Sequence, residues 1–341
     1  MTILLGVDEA GYGPNLGPLT IALTGWRLET PATAETATAI PDLYALLSDG
    51  VARRPAPGKV AVADSKTLYP HAAGLRHLER GVLASLAIAS GEATLAAPWP
   101  GDWAQLVERL GADPAGQAEH LPWHQTAPLE LPCATAAEDV SSAIRQLSDC
   151  CRAVGVALVA TQARLVFPAE LNALVDEWGT KGAALSHVTL GLVQRVVASA
   201  DGSSATGSRR ASKPNLRIVC DKHGGRNRYA ALLQHYFSDY SIAIREESRA
   251  VSRYRCDGPL ARLDVEFRAG GEAFLPAALA SMTAKYLREL AMRAFNEFWQ
   301  RHLPELRSTA GYPVDARRFR SEIAACQQSL GIADRLLWRA R

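Results

Sequence analysis

Two short apolar runs that each end in an acid constrain this chain most. Residues 3–7 run into Asp8 and Glu9 and then into Gly11 and Gly13, and residues 216–220 run into Asp221. Apolar runs of this length bounded by turn-forming residues read as buried strands, so both deliver a carboxylate to the place where a strand leaves its sheet. After the turn-forming stretch 11–18, residues 19–28 form a second apolar run, which makes a buried hairpin with the first. Residues 59–63, 156–167, 240–244, 250–255 and 263–267 are further strand candidates. Helical spacing covers 71–90, 136–154, 169–198 with a break near 179–182, 229–237, and 277–302, the longest such pattern. Strands interleaved with helices, plus a short antiparallel set near the start, predict an α/β fold on a mixed sheet flanked by helices.

Charge does not separate the function classes. The 37 lysines and arginines nearly balance 35 aspartates and glutamates, so any affinity for nucleic acid has to come from local clustering. With 341 residues and 48% hydrophobic content, the chain can bury a large core without staples. The six cysteines (133, 150, 151, 220, 256 and 326) show no C-x-x-C pair and no zinc-type spacing, which fits reduced thiols in a cytoplasmic protein. The opening MTILLGVDEAGYG turns acidic too soon for a signal-peptide core, and no apolar run is long enough to span a bilayer. Residues 31–57 read as a connection carrying a short helix at 43–47, and 91–133 carry no motif. Residues 201–214 are nearly devoid of apolar side chains, as in a mobile basic loop.

Three places hold residues with chemical potential. Asp8 and Glu9 lead into glycines, where backbone can approach a phosphate closely. Neighbours on a strand point to opposite faces, so the two acids share one site only if the chain twists or bulges just after Asp8. An ordinary hairpin turn with two solvated acids carries the same residues. Asp221 is followed by Lys222, His223, Arg226 and Arg228 around a Gly-Gly pair, a setting for a metal ligand beside phosphates or for a salt-bridged turn capping a helix. Ser281, Lys285 and Glu289 recur at four-residue spacing and share one helical face, as a solvated Lys/Glu stripe also does.

In combination these segments resemble the type 2 ribonucleases H, ribonuclease HII and its relative ribonuclease HIII. That family opens with G-[VI]-D-E-A-G-x-G-x-x-x-G-P, matched from Gly6 to Pro18, and continues with D-S-K-x-L, matched by Asp64, Ser65, Lys66 and Leu68. Its third acid ends a later strand, as Asp221 does. Its fourth lies in a helix written A-S-I-x-A-K-x-x-R-D, against which Ala280 to Glu289 aligns without a gap.

The resemblance implies a ribonuclease H-like catalytic domain over 1–302, with insertions at about 31–57, 91–150 and 201–214, and a helical tail at 303–341 packed on it or extending it. It implies an endonuclease that hydrolyses the RNA strand of RNA-DNA hybrids with two Mg2+ or Mn2+ ions, which oxygen-only ligands suit. Asp8 and Asp221 become direct or bridging ligands, with Glu9 and Glu289 completing the sites. Lys66, Lys222, Arg226 and Lys285 become phosphate contacts. Ser65 and Ser281 join the nucleic-acid surface, Ser281 through a backbone hydrogen bond. Gly11, Tyr12 and Gly13 form the segment that meets the ribose, and Tyr312 is the nearest counterpart of a tyrosine that stacks on a sugar.

Two positions depart from the family pattern. Tyr12 stands where the family has Arg, which argues against preference for a lone ribonucleotide, and Glu289 replaces Asp, as in ribonuclease HIII. Two other readings remain: a structure-specific nuclease acting on DNA or RNA of another shape, and a catalytically silent nucleic-acid-binding module. Crowded like charges have no use in a dead site, which disfavours the last.

Overall fold

The computed structural model describes residues 2–29, 41–69, 74–89, 91, 98–125, 129–199 and 213–339. Most of the expected basic loop, and the start of the 31–57 connection, lie outside them. In chain order the elements are β1 (Thr2–Ala10), β2 (Leu19–Leu28), α1 (Leu43–Leu46), β3 (Val51–Ala52), β4 (Val60–Ala61), α2 (Ser65–Leu68), α3 (Arg76–Ala89), α4 (Trp103–Arg109), α5 (Ala137–Ala153) and β5 (Val156–Val166). There follow α6 (Pro168–Trp178), α7 (Lys181–Ser199), β6 (Asn215–Asp221), α8 (Ala230–Tyr236), β7 (Ser241–Glu247), β8 (Val251–Asp257), β9 (Arg262–Arg268), α9 (Leu275–His302), α10 (Pro313–Ser329) and α11 (Asp334–Leu337).

Seven strands form one mixed sheet in the order β5-β2-β1-β6-β9-β8-β7, with β1, β6 and β9 parallel and the outer pairs antiparallel. β1 is apolar on both faces because both are covered. Leu4 belongs to the core shared with α3, α5 and α9, whereas Ile3, Leu5 and Val7 belong to the core shared with α7 and α8. The α/β mixed sheet flanked by helices is thus the architecture that the strand and helix spacing predicts.

Differences from the sequence reading have local causes. β1 does not stop at Asp8 but runs to Ala10, because Asp8, Glu9 and Ala10 continue to pair with Ala22, Ile21 and Thr20 of β2. The helical tail holds the long α10 and the short α11. α10 sets Phe319 against Phe295 and Trp299 of α9, with ring centroids 5.5 and 6.3 Å apart. The motif-free segment also has work to do: Leu110 and Ala112 accept hydrogen bonds from Ala163 and Leu165, covering part of the outer edge of β5.

The contact that positions α9 is made at Gly6. A Cβ there would lie 2.0 Å from the amide nitrogen of Ala277, so helix and strand backbones touch. Thr24 of β2 adds a hydrogen bond to the Pro276 carbonyl at 2.7 Å. Gly6→Ala should therefore lower unfolding free energy by about 3 kcal/mol, the upper end for overpacking, because the atoms it meets are main chain. Urea unfolding measures this; a loss below about 1 kcal/mol, as an ordinary surface change gives, would show that the contact yields easily.

Candidate active site

The sheet register brings two acids together. Val7 pairs with Cys220 as the last step of the parallel β1–β6 ladder, which puts Asp8 and Asp221 side by side on the face toward α9. One helical turn beyond Ala277, Ser281 meets Asp8, and the Ser281 hydroxyl lies 3.1 Å from Ser65 Oγ and accepts the Ser65 N–H at 3.4 Å. Asp64 caps α2 by accepting the Lys66 N–H at 3.1 Å. The ends of two central strands, the start of α2 and the second turn of α9 thus converge at one place.

No bulge follows Asp8, since pairing with β2 is continuous through Glu9. The bend expected from the sequence is replaced by the end of the β6 ladder. Past Val7, β1 has no strand partner on that side among the described residues, so Glu9 on the opposite face senses Asp8 and Asp221 around the open strand end. Burial, and then the neighbouring acids, push Glu9 up to about 8, against the pull of Lys66. Burial likewise pushes Asp8 up to about 7, with Asp221 and Asp64 adding to it and Ser281 and the Glu9 backbone opposing it. Asp221 is raised by burial, against hydrogen bonds from the Lys222 and Gly271 backbone. Glu272 raises it further, and Lys66 opposes.

Glu289 is placed differently from the other three. Its carboxylate accepts from Lys285 Nζ at 2.6 Å and from the Tyr69 hydroxyl at 3.0 Å, and Lys285 lies over the Tyr69 ring. Lys222 points away from the acids, with its ammonium bonded to Asn227, Ser248 and Ser252 at 2.7, 2.6 and 3.4 Å. Arg226 is half-buried in the turn after β6. His223 is not an available cation: it is buried 3.0 Å from Ser186 Oγ, and burial, then Arg226, pulls it down to about 3. Tyr12 lodges against the turn at Gly224, whose Cβ would lie 3.0 Å from its hydroxyl. Tyr312 is 57% exposed and faces Gly13. Gly11 adopts φ +81 over the side chain of Arg288, where any larger residue would collide.

Four neighbours of the site escaped the sequence reading. Asp64 was visible inside the D-S-K-x-L match, but its charge effect on Asp8 was not. Glu272 comes after β9 with no motif around it. Arg288 and Arg339 bind the Gly11–Pro18 loop from beneath, and an arginine 328 residues from its partner leaves no local signal.

Among the described residues, no three Asp, Glu, His or Cys side chains form a preassembled metal centre. The donors nonetheless fit a hard dication in kind: they are oxygens, desolvated, mutually repelling and opposed by one lysine. Asp221 Oδ1 is also buried without a hydrogen-bond partner.

No protein-family model matches the chain, and no curated protein matches it. Solved structures similar to it include ribonuclease HII from the PCNA:RNase HII complex of Archaeoglobus fulgidus, at 14% identity over 99% of this chain and 96% of that one, TM-score 0.38. Ribonuclease H2 of Pyrococcus horikoshii matches at 14% identity over 98% and 92%, TM-score 0.37. Bst-RNase HIII in complex with Mn2+ matches at 15% identity over 99% and 66%, TM-score 0.34.

The raised carboxyls make the metal-free protein sensitive to pH. Folding lifts Asp8 from 3.8 to about 7 and Glu9 from 4.5 to about 8, so the folded chain keeps protons that the unfolded chain releases. Their contribution to stability is complete below the unfolded values and is lost as pH rises through 7 and 8. Thermal melts in chelator from pH 4 to 9 should show this fall, and Asp8→Asn should flatten it. Equal slopes in both proteins would contradict the assignment.

Proposed function

We propose that the chain is a divalent-metal-dependent endonuclease that cuts the RNA strand of RNA-DNA hybrids. The observation that carries this reading is the desolvated set of Asp8, Glu9 and Asp221 at the ends of the central strands β1 and β6, where Asp221 raises the proton affinity of Asp8 and both raise that of Glu9. Such crowding costs stability unless a cation is bound there. Residues 1–302 are the catalytic body on this reading, and 303–341 are its helical tail.

Asp8 and Asp221 would be the direct ligands of magnesium or manganese, with Glu9 and Glu289 completing the set. Two such ions, when bound, lower the pKa of a water and stabilise the leaving oxygen of an in-line displacement. The chain's own residues do the rest. Ser281 and Ser65 fix the Asp8 carboxylate, and Lys66 offers its ammonium to a phosphate beside Glu9 and Asp221. The Gly11–Gly13 backbone meets the ribose, and exposed Tyr312 next to it supplies a ring for a sugar. Lys285 would be free to meet a phosphate were Glu289 to hold a metal ion in place of their ion pair. Lys222 and Arg226 serve the turn after β6, and their contact with phosphate requires the Lys222 bonds to open. No helix among the described residues is long and apolar enough to cross a membrane.

A second reading, cleavage of DNA or RNA of another shape on the same site, is favoured by Tyr12. Its hydroxyl rests against Gly182 and Gly224 and does not supply the charged fork that an arginine would. Labelled hybrid, duplex DNA, duplex RNA and a branched junction, each incubated with magnesium or manganese, separate the two. Hybrid cleavage is expected; junction cleavage without hybrid cleavage would favour the second, and cleavage of none would leave a binding module. Asp8→Asn and Asp221→Asn should each slow cutting by at least roughly 100-fold, the scale for removing one electrostatic stabiliser. Asp8→Asn should also remove most of the rise in melting temperature that millimolar magnesium gives the wild type. Near-normal cutting by either variant would remove that residue from the set.

Tyr12 also sets an expectation about the cut site. Without an arginine's charged contact, binding at a lone ribonucleotide is weaker by about 1 to 3 kcal/mol, or roughly one to two powers of ten. Runs of ribonucleotides should be cut in preference to a single one in duplex DNA, and Tyr12→Arg should narrow the gap. Paired rates on both substrates decide this; efficient wild-type cutting at a lone ribonucleotide would refute it.

A further inference from the structure

Trp338 and Arg339 run back to the loop between β1 and β2 and close on it. Trp338 bridges Leu16, and the Arg339 N–H donates to the Asn15 carbonyl at 3.0 Å. The Arg339 guanidinium donates Nε to Gly17 O at 2.7 Å and Nη1 to Pro14 O at 3.1 Å and to Gly11 O. Arg288 of α9 reaches the same loop, donating to Pro18 O at 2.8 Å and to Leu16 O at 3.4 Å. The carbonyls of Gly11, Pro14, Leu16, Gly17 and Pro18 are therefore all turned onto two arginines.

Both arginines are buried, at 5% and 3% exposure, and their hydrogen bonds go to backbone carbonyls, with Glu289 acting on Arg288 through its charge. Burying two like charges against neutral carbonyls is a poor way to gain stability, because desolvation offsets most of the hydrogen-bond energy. Burial, and then Arg288, lowers the proton affinity of Arg339. Arg339 Nη2 is buried without an acceptor. The arrangement does supply one conformation for a loop whose first residue comes directly after the last residue of β1. Glu9 and Tyr12 stand on either side of that junction.

We propose that Arg339 is a positioning residue of the carboxylate site: its grip on Gly11, Pro14 and Gly17 fixes the loop and, through it, Glu9 and Tyr12. The inference rests on the nuclease reading for its consequence but not for its geometry. Arg339→Met removes every donor of the guanidinium. Arg339→Lys keeps the charge but loses the fork, so it cannot hold three carbonyls at once. Arg335→Ala, an exposed arginine of the same segment, is the control.

Amide hydrogen exchange, read without substrate, should rise about 10-fold or more over residues 11–18 in Arg339→Met, with β6 and β9 unchanged. On hybrid, kcat should fall about 100-fold with KM within about threefold, the pattern of a misplaced catalytic group. Ethylguanidinium should restore part of the loss in Arg339→Met, and Arg339→Lys should lie between. If Arg339→Met fails to fold, Arg339→Lys carries both measurements. Unchanged loop exchange overturns the clasp, and faster exchange with wild-type kcat overturns the positioning role. If the wild type cuts no nucleic acid, the nuclease reading fails separately. The exchange arm then still decides the clasp, and thermal-shift titration with Mn2+ decides positioning: about tenfold weaker apparent affinity supports it, and equal affinity overturns it.

Discussion

The backbone of α9 lies against the backbone of β1 at Gly6, where no side chain fits, and the rest of the site is measured from that contact. A helix repeats every 3.6 residues with a rise of about 1.5 Å per residue, so fixing Ala277 fixes every later position along α9. Ser281 arrives one turn on, beside Asp8, and draws Ser65 and the start of α2 with it. Lys285 and Glu289 arrive on the next turns beside Tyr69, and Arg288 reaches under the glycine-rich loop. A looser contact at Gly6 would let the helix slide, and each of these neighbours would then meet the wrong partner.

Charge is sorted across this edge of the sheet. Asp8 feels Asp221 and Asp64, Asp221 feels Glu272, and Lys66 opposes the charge of Glu9 and Asp221, while two arginines sit beneath the loop and bind carbonyls. Desolvation outweighs repulsion as the cause of the raised carboxyls, heading the causes for all three acids. The local problem is thus the loss of water more than the nearness of acids. A bound cation answers both at once, since it replaces solvation and cancels repulsion; protonation answers them only by giving up the ligand.

Much of this was legible in the sequence, and the limits have physical causes. The strand end at Asp221, the helix break at Gly179 and the long helix bearing Ser281 and Glu289 reflect local periodicity and glycine chemistry, which act over a few residues. The extension of β1 through Ala10 depends on pairing with β2, and periodicity within one strand cannot report where a partner stops. Leu110 and Ala112, in a stretch that looks featureless, cover part of the β5 edge with backbone carbonyls, and backbone hydrogen bonding leaves little trace in side-chain pattern. Arg339 is a stronger case. Its contacts are to carbonyls, which every residue carries, so nothing in the Gly11–Pro18 sequence announces an arginine partner. Lys222 and His223 show the converse error: charge counted along the chain overstates charge offered to a ligand once burial and local hydrogen bonds have claimed it.

Glu289 sets the remaining balance. Its ion pair with Lys285, at about one-fifth exposure for both side chains, contributes roughly 0.5 kcal/mol as an i,i+4 pair, and the Tyr69 hydrogen bond about 1 to 1.5 kcal/mol. Swinging the carboxylate toward Asp8 therefore costs on the order of 2 kcal/mol, equivalent to roughly a 30-fold loss in affinity for an ion that needs it. An ion held by Asp8, Glu9 and Asp221 bears none of that cost. On the nuclease reading, Glu289 would join the other three acids only where a second charge, or a phosphate drawing Lys285 away, offset the broken pair.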